Sequence, residues 1–499
     1  MTVWLLGDQL HPESRVLDDA DRVLLIEATG FADRRPYHPQ KLGLVFAAMR
    51  HARDDLRDAG YEVEYRQAAT FGAALDDHFD AHPGDDLRLM RHPSHGAADR
   101  LRSLVESRGG TLTLTDDDRF LCPPDAFDEW ADGADDDGFR HEAFYRWMRR
   151  REGVLMDGSD PVGGQWNYDE ENRETPPPDW SPPPVPAFDP DDLTRETLDW
   201  VADRFETWGD VEGFAWPVTR DEARDALDHF VAHRLPAFGP YQDAMVGGEW
   251  ALAHSLLSSS LNLGLLSPRE VIDAACDAWE RDVAPLRSVE GFVRQVLGWR
   301  EFMRHVYRRT MPGLTEEDRL NRSRDLPPLY YDGETRMRCL SDAVSHVHDH
   351  GYAHHIERLM LLSNFASLYG ADPHELNEWF QFGFVDAFHW VTTPNVLGMG
   401  TFATDAFTSK PYVSSGNYID RMSDHCADCP YDVDATTGED ACPFNALYWD
   451  FLDRHEETLR DTGRMGLVYA HADRKSDAEW DAIHDRAATL RDRAADGTL

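Results

Sequence analysis

One segment limits every fold open to this chain. Thr175 to Asp192 reads TPPPDWSPPPVPAFDPDD, with eight prolines between Pro176 and Pro190. Proline lacks a backbone N–H and fixes φ, so the stretch forms neither a helix nor a central strand and must be a connector. It divides a chain of 499 residues, long enough for two to four domains at about 150 residues each. Upstream, short β-branched and Leu-rich runs (Val3 to Gly7, Val23 to Ala28, Glu62 to Gln67, Leu87 to Arg91, Thr111 to Thr115) alternate with helical stretches such as Gln40 to Ala59. That alternation predicts a doubly wound parallel sheet. The turn Gly7-Asp8-Gln9-Leu10 leaves the carboxyl end of the first strand, where ligands of such sheets sit. Downstream, helical periods cover Asp221 to Arg234, Glu249 to Leu263, Pro268 to Glu280, Val289 to Arg308, Leu340 to Leu368 and Pro373 to Phe382. The expected division is an α/β domain over 1–130, a connector over 131–200 and an all-α domain over 201–499.

Acidic residues outnumber basic ones, 93 to 50, giving a net charge of -43, while 41% of residues are hydrophobic. This is the acidic coat of a folded protein rather than a disordered acidic chain. Such a coat repels phosphate backbones, so basic islands stand out: Arg146, Arg149, Arg150 and Arg151, then Arg304, Arg308 and Arg309. They suit phosphate contacts or pairing with the many carboxylates. The acidic run Asp128 to Asp137 reads as a solvated loop. No secretory leader opens the sequence, and no apolar run nears the ~20 residues that span a bilayer. With Lys scarce beside Arg, Asp and Glu, the expectation is a soluble protein of a saline cytoplasm, with no membrane partner.

Six cysteines are too sparse for a disulfide framework. Cys426 and Cys429 form a C-x2-C pair, Cys442 follows closely, and Cys339 lies far upstream. Three clustered thiols and a distant fourth suit a tetrahedral site. Spacing alone leaves structural zinc ahead of iron-sulfur, and the Cys442-Pro443 step tilts only slightly toward a cluster.

From Tyr352 to Trp449 the chain reads YAHHIERLM, PNVLGMGTFA, KPYVSSGNYIDRMSDHCADC and ACPFNALYWDF, which closely resembles the iron-sulfur bacterial cryptochromes and (6-4) photolyases, or photolyase-related proteins. LGDQL at Leu6 to Leu10, AMRH at Ala48 to His51, PVGGQWN at Pro161 to Asn167, HSLLSSSLNLGLL at His254 to Leu266 and GFVRQVLGWREFMR at Gly291 to Arg304 extend the resemblance over essentially the whole chain. It implies the photolyase/cryptochrome fold: an antenna domain, a connector and an all-α domain holding FAD. It also implies that Cys339, Cys426, Cys429 and Cys442 ligate a 4Fe-4S cluster, leaving Cys122 and Cys276 as incidental thiols.

Photolyases excite a reduced flavin, which lends an electron to a pyrimidine lesion and takes it back; the protein supplies binding and geometry. By resemblance, Ser255, Leu256, Leu257 and Ser258 hold the FAD diphosphate near a helix start. Trp299, Arg300 and Glu301 line the flavin and lesion cavity, and Asp386 and Asn395 flank the ring. His354 and His355 are the expected acid-base pair for moving an oxygen between bases. Tyr412 and Met399 are expected against the flipped lesion. Trp379, Trp390 and Tyr331 are the expected electron relay, and here the chain departs from the family pattern, with Phe380 for a Tyr, Tyr331 for a Trp and Thr392 for a Glu. Weakened photoreduction by the usual route is therefore expected. The antenna implied is 6,7-dimethyl-8-ribityllumazine, at Asp8, Gln9, Leu10, Glu27 and Lys41. UV-damaged DNA is the expected partner, with a divalent cation as an open addition, and the chain is expected to be a monomer. The reading from another class is a cryptochrome-type photoreceptor with the same cofactors and no repair.

Overall fold

The computed structural model describes residues 1–133, 140–460, 462 and 465–499. Five parallel strands, β1 (Thr2–Leu5), β2 (Arg22–Ala28), β3 (Glu62–Ala68), β4 (Asp86–Met90) and β5 (Thr111–Thr115), form a sheet of order β3-β2-β1-β4-β5. Both faces of β1 are buried: Val3 and Leu5 join the larger core, while Trp4 and Leu6 pack with Leu24, Ile26, Leu75 and Leu89. Burial on both faces explains why β1 and β2 read as apolar runs, whereas the edge strand β5 alternates. Helices α1 (Pro39–Asp58), α2 (Phe71–Ala81) and α3 (Ala97–Glu106) make the crossovers. The strand order reverses between β1 and β4, which places the Gly7–Leu10 turn at the switch point.

Helix α1 is enclosed by the sheet on one side and the helix Asp192–Arg204 on the other, so its polar residues Gln40, Lys41 and Arg50 are buried too. Glu27 on β2 receives both Arg50 donors, at 2.8 and 3.0 Å, and the Arg50 Nη1 donates to Thr197 Oγ1 at 3.0 Å. One buried ion pair thus ties sheet, α1 and the following helix, and removing either partner would leave an uncompensated charge.

Apart from the two-stranded Met156–Asp157 and Asp160–Pro161 hairpin, the regular elements after β5 are helical. A second core gathers Leu329, Leu361, Phe365, Trp379, Phe444, Phe451 and Leu490. Three expectations need correction. The stretch Glu249 to Leu263 is helical only from Ser258; before it the backbone turns through Leu252 at φ 38° and Leu256 at φ 60°. Leu340 to Leu368 is broken at Gly351, whose φ of 60° ends the helix Arg338–His350. Asp128 belongs to the helix Pro124–Asp132, not to a loop, while residues 134–137 of that acidic run lie outside the described residues. Among the described residues, no helix is long and apolar enough to cross a membrane.

Candidate functional site

The broken helices create the site. Leu252 and Leu256, both in the left-handed region that costs a branched side chain about 1–2 kcal/mol, aim the loop 251–257 into the start of the helix Ser258–Leu263. Ser255 Oγ accepts from Leu257 N, and Leu256 and Leu257 are buried. Ser258 donates to Asp386 Oδ2 at 2.7 Å, and Asn262 Nδ2 donates to the Asp386 carbonyl at 2.9 Å. Arg358 grips the same carboxylate with two parallel bonds of 3.1 Å and lies over the rings of Phe384 and Tyr352. Asp386 therefore links the 255–258 loop to the 358 helix. The hydroxyls of Ser259 and Ser260 are buried without partners.

Beside this loop three histidines meet. His354 stacks on His254, centroids 4.6 Å apart, and His355 lies edge-on to His254 at 5.2 Å. Burial holds the His254 and His354 rings well below the usual histidine value, and both His354 nitrogens lack hydrogen-bond partners. Glu357, fully buried, places Oε2 3.6 Å from His354 Nε2 and accepts from His346 at 3.1 Å on its other oxygen. Burial lowers the His346 value, but the Glu357 carboxylate overrides it and holds that ring above the ordinary range. His355 is half exposed and faces Asp243 Oδ1 at 3.4 Å. The sequence reading missed His254, which opens the HSLLSSS stretch, and Arg358, which sits inside YAHHIERLM.

The other expected flavin residues are more embedded than their sequence suggests. Arg300 donates to the Arg119 and Leu261 carbonyls, and Glu301, fully buried, accepts from Leu121 N and Cys122 N. Trp299 stacks on His141 at 3.7 Å. Asn395 Nδ2 donates to Val391 O at 2.8 Å. Trp379 is fully buried and donates to Tyr330 O, whereas Trp390, packed edge-on to Phe120, leaves its Nε1 unpaired. Met399 is half-buried against the larger core, and Tyr412 is exposed with Lys410 above its ring.

Tyr331 reaches the surface and stacks at 6.5 Å on Phe382. Trp208, absent from the sequence reading, sits 6.0 Å from Phe382 and 5.9 Å from Trp379, and its indole N–H donates to Tyr331 O. An aromatic row therefore runs from the surface through Trp208 to Trp379 and on to Phe384, 5.6 Å away.

The four cysteines expected to act together do converge. Cys339 at the start of the helix Arg338–His350, Cys426 and Cys429 around a single helical turn, and Cys442 capping the helix Pro443–Arg454 line one pocket with Met337, Ile419, Tyr431 and Phe444. Burial and the neighbouring sulfurs push the Cys339 thiol well up, and burial raises Cys426 and Cys442 to about 12. Such thiols ionise only against a cation, which fits a donor set built for iron or zinc.

The five expected antenna residues are buried and already bonded. Asp8 lies 2.7 Å from Arg119 and 3.0 Å from His92, which hold its carboxyl below the usual range against the effect of burial. Gln9 donates to Met90 O, and Leu10 N to Leu263 O. Glu27 is paired with Arg50, and Lys41 Nζ donates to the Gln381 and Ala387 carbonyls, beside Asp386. Neither is a surface charge. Leu10 is the one of the five that lines the small cavity, about 70 Å³, shared with Leu5, His51, Tyr61 and Arg220. The arginine islands are also largely engaged: Arg149 and Arg304 are buried, and Arg308 and Arg309 pair with Asp128.

The chain is 40% identical to a (6-4) photolyase of Agrobacterium fabrum over 99% of its own length and 98% of that protein's. The chain belongs to the photolyase-related family. The model of that family, deoxyribodipyrimidine photo-lyase-related protein, matches residues 3–216. Two solved structures place the photolyase-related chain in the photolyase/cryptochrome fold. One is a bacterial class III photolyase from Agrobacterium tumefaciens (TM-score 0.59, 17% identity, 99% and 96% of the two chains). The other is a Synechocystis cryptochrome (TM-score 0.57, 14% identity, 99% and 98%). Membership of this family implies FAD, and the Asp386 hub, with the unpartnered Ser259 and Ser260 hydroxyls beside it, fits such a ligand in its donor chemistry.

Proposed function

We propose that this protein is a DNA photolyase that repairs (6-4) pyrimidine-pyrimidone photoproducts with light. The observation that carries the reading is the 40% identity, over essentially the whole of both chains, to a (6-4) photolyase. Reduced FAD, when bound, supplies the photoexcited electron that opens the lesion and accepts it back. The protein's residues do the rest. Asp386, fixed by Arg358, Ser258 and Asn262, orients the loop 255–258 that faces the cofactor. Trp299 and Met399 make apolar walls that exclude water from a flipped base. His354, neutral and without partners, is the ring placed to hand over and retrieve a proton, with His254 stacked behind it. His355, in contact with solvent, is suited to reload it. Tyr412 is assigned to the lesion.

The reading extends to the remaining groups. The four cysteines hold a 4Fe-4S cluster, which their shared apolar pocket supports. The antenna is 6,7-dimethyl-8-ribityllumazine, and Leu10 on the wall of the N-terminal cavity is the expected residue that supports it. The domains are 1–130, 131–200 and 201–499, acting as a monomer on UV-damaged DNA. The test is anaerobic blue-light illumination of the reduced protein with an oligonucleotide bearing one (6-4) lesion, followed by chromatography. Light-dependent recovery of intact thymines supports the proposal. No recovery from a protein with bound, photoreducible flavin replaces it with the photoreceptor reading.

A further inference from the structure

On the sheet's edge strand, one carboxylate oxygen faces two imidazoles. Glu64 lies on β3, while His78 sits in the last turn of α2 and His82 caps that helix, their ring centroids 5.2 Å apart. Glu64 Oε2 is 2.8 Å from His78 Nδ1 and 3.7 Å from His82 Nε2. Among the described residues these three form the one set of His, Cys, Asp or Glu whose ligand atoms all fall within 4.8 Å of one another. A tetrahedral ion bonded at about 2.0–2.2 Å to each ligand sets those ligands roughly 3.3–3.6 Å apart. The His82 contact, at 3.7 Å, is close to that separation, and the His78 contact, at 2.8 Å, needs to open by roughly 0.5–0.8 Å.

The surroundings add a second, independent feature. The far nitrogen of His78, Nε2, has no hydrogen-bond partner and lies 3.4 Å from Asp85 Oδ2, whose position is fixed by the Thr2 hydroxyl at 2.6 Å. A carboxylate behind a histidine ligand fixes its tautomer and raises its basicity. His78 is fully buried, whereas the His82 side chain is 32% exposed. One side is therefore open for entry and for a water ligand. Arg66 donates to Glu64 Oε1, the other carboxylate oxygen, and so leaves Oε2 turned to the two rings.

We propose that Glu64, His78 and His82 bind one divalent cation of the zinc class, with water as the fourth ligand, fastening the end of α2 to the sheet edge. Imidazole and carboxylate donors select such ions over magnesium or calcium. The ordinary alternative is a buried Glu-His ion pair that needs no metal.

Equilibrium dialysis of the iron-loaded protein against zinc chloride across the micromolar range, with zinc and iron counted per chain, separates the two. The proposal expects one saturable zinc per chain with iron unchanged. It expects loss of that zinc in His82→Gln, a partly exposed residue whose replacement leaves the core intact. Asp85→Asn should weaken it by about 10- to 100-fold. His484→Gln, which removes an exposed histidine paired with Asp453 at 3.0 Å, should retain it. Zinc should also raise the thermal midpoint of the wild type and not of His82→Gln. No saturable zinc, equal binding by wild type and His82→Gln, or uptake matched by loss of iron to the cysteine pocket would overturn the proposal.

Discussion

His354 and His254 lie face to face, 4.6 Å between ring centroids with planes inclined by 9°, in a pocket that keeps both imidazoles uncharged. In the proposed repair, acid-base work at this pair begins from two neutral bases, and a proton on one ring raises the cost of a proton on the other.

Stability inherits that constraint. Unfolded, each ring protonates below about pH 6.5; folded, it stays neutral there. The unfolded chain then binds more protons, so stability falls as pH drops below that value, by up to about 1.4 kcal/mol per pH unit for each ring. Urea midpoints measured from about pH 7.5 to about pH 5 should hold above about pH 6.5 and fall below it, less steeply in His354→Asn. An unchanged slope in that variant contradicts the account of the pocket.

Asp386 joins the loop 255–258, proposed to hold the flavin, to Arg358, so Asp386→Asn should keep helical circular dichroism and lose flavin. A charge-assisted pair of this kind is worth about 1.5–3 kcal/mol, or roughly 10- to 100-fold in flavin affinity. Flavin absorbance per chain after gel filtration measures it, and stoichiometric flavin in the variant would count against the assignment.

Trp208 bridges the surface to Trp379 where Tyr331 and Phe380 make poor carriers. Trp208→Phe should slow light-driven flavin reduction with a sacrificial donor, with bound flavin unchanged. Tyr331→Phe should slow it less. Equal rates in wild type and Trp208→Phe would remove Trp208 from the path.

The cysteine pocket joins the helix Arg338–His350 to the segment 426–442. Cys429→Ala should lose iron, the brown absorbance and soluble expression together. A soluble, fully active variant would refute a structural role for the cluster.

The sheet was legible because its inner strands are short apolar runs bounded by turn residues, and the irregular backbone of 176–190 because proline has few conformations. The loop 249–257 was not, since its Leu and Ala residues keep helical spacing while Leu252 and Leu256 take positive φ under tertiary constraint. The burial of Glu27 and Lys41 was not legible either, because sequence cannot reveal that the first part of α1 is covered on both sides. His254 and Trp208 escaped for a related reason: each gains its role from partners more than 90 residues away, His354 and Tyr331. The cysteine set was visible by spacing, with Cys339 as the distant fourth thiol, but only the resemblance turned the expected occupant from zinc to a cluster.

The most direct test of the central claim compares two lesions in one experiment. Reduced wild-type protein and His354→Ala, both flavin-loaded, are illuminated at molar salt with oligonucleotides carrying either a (6-4) product or a cyclobutane dimer. The account predicts light-dependent restoration of the (6-4) strand by the wild type, loss of it in His354→Ala, and little action on the dimer. Restoration of the dimer alone, or undiminished (6-4) repair without His354, would contradict it.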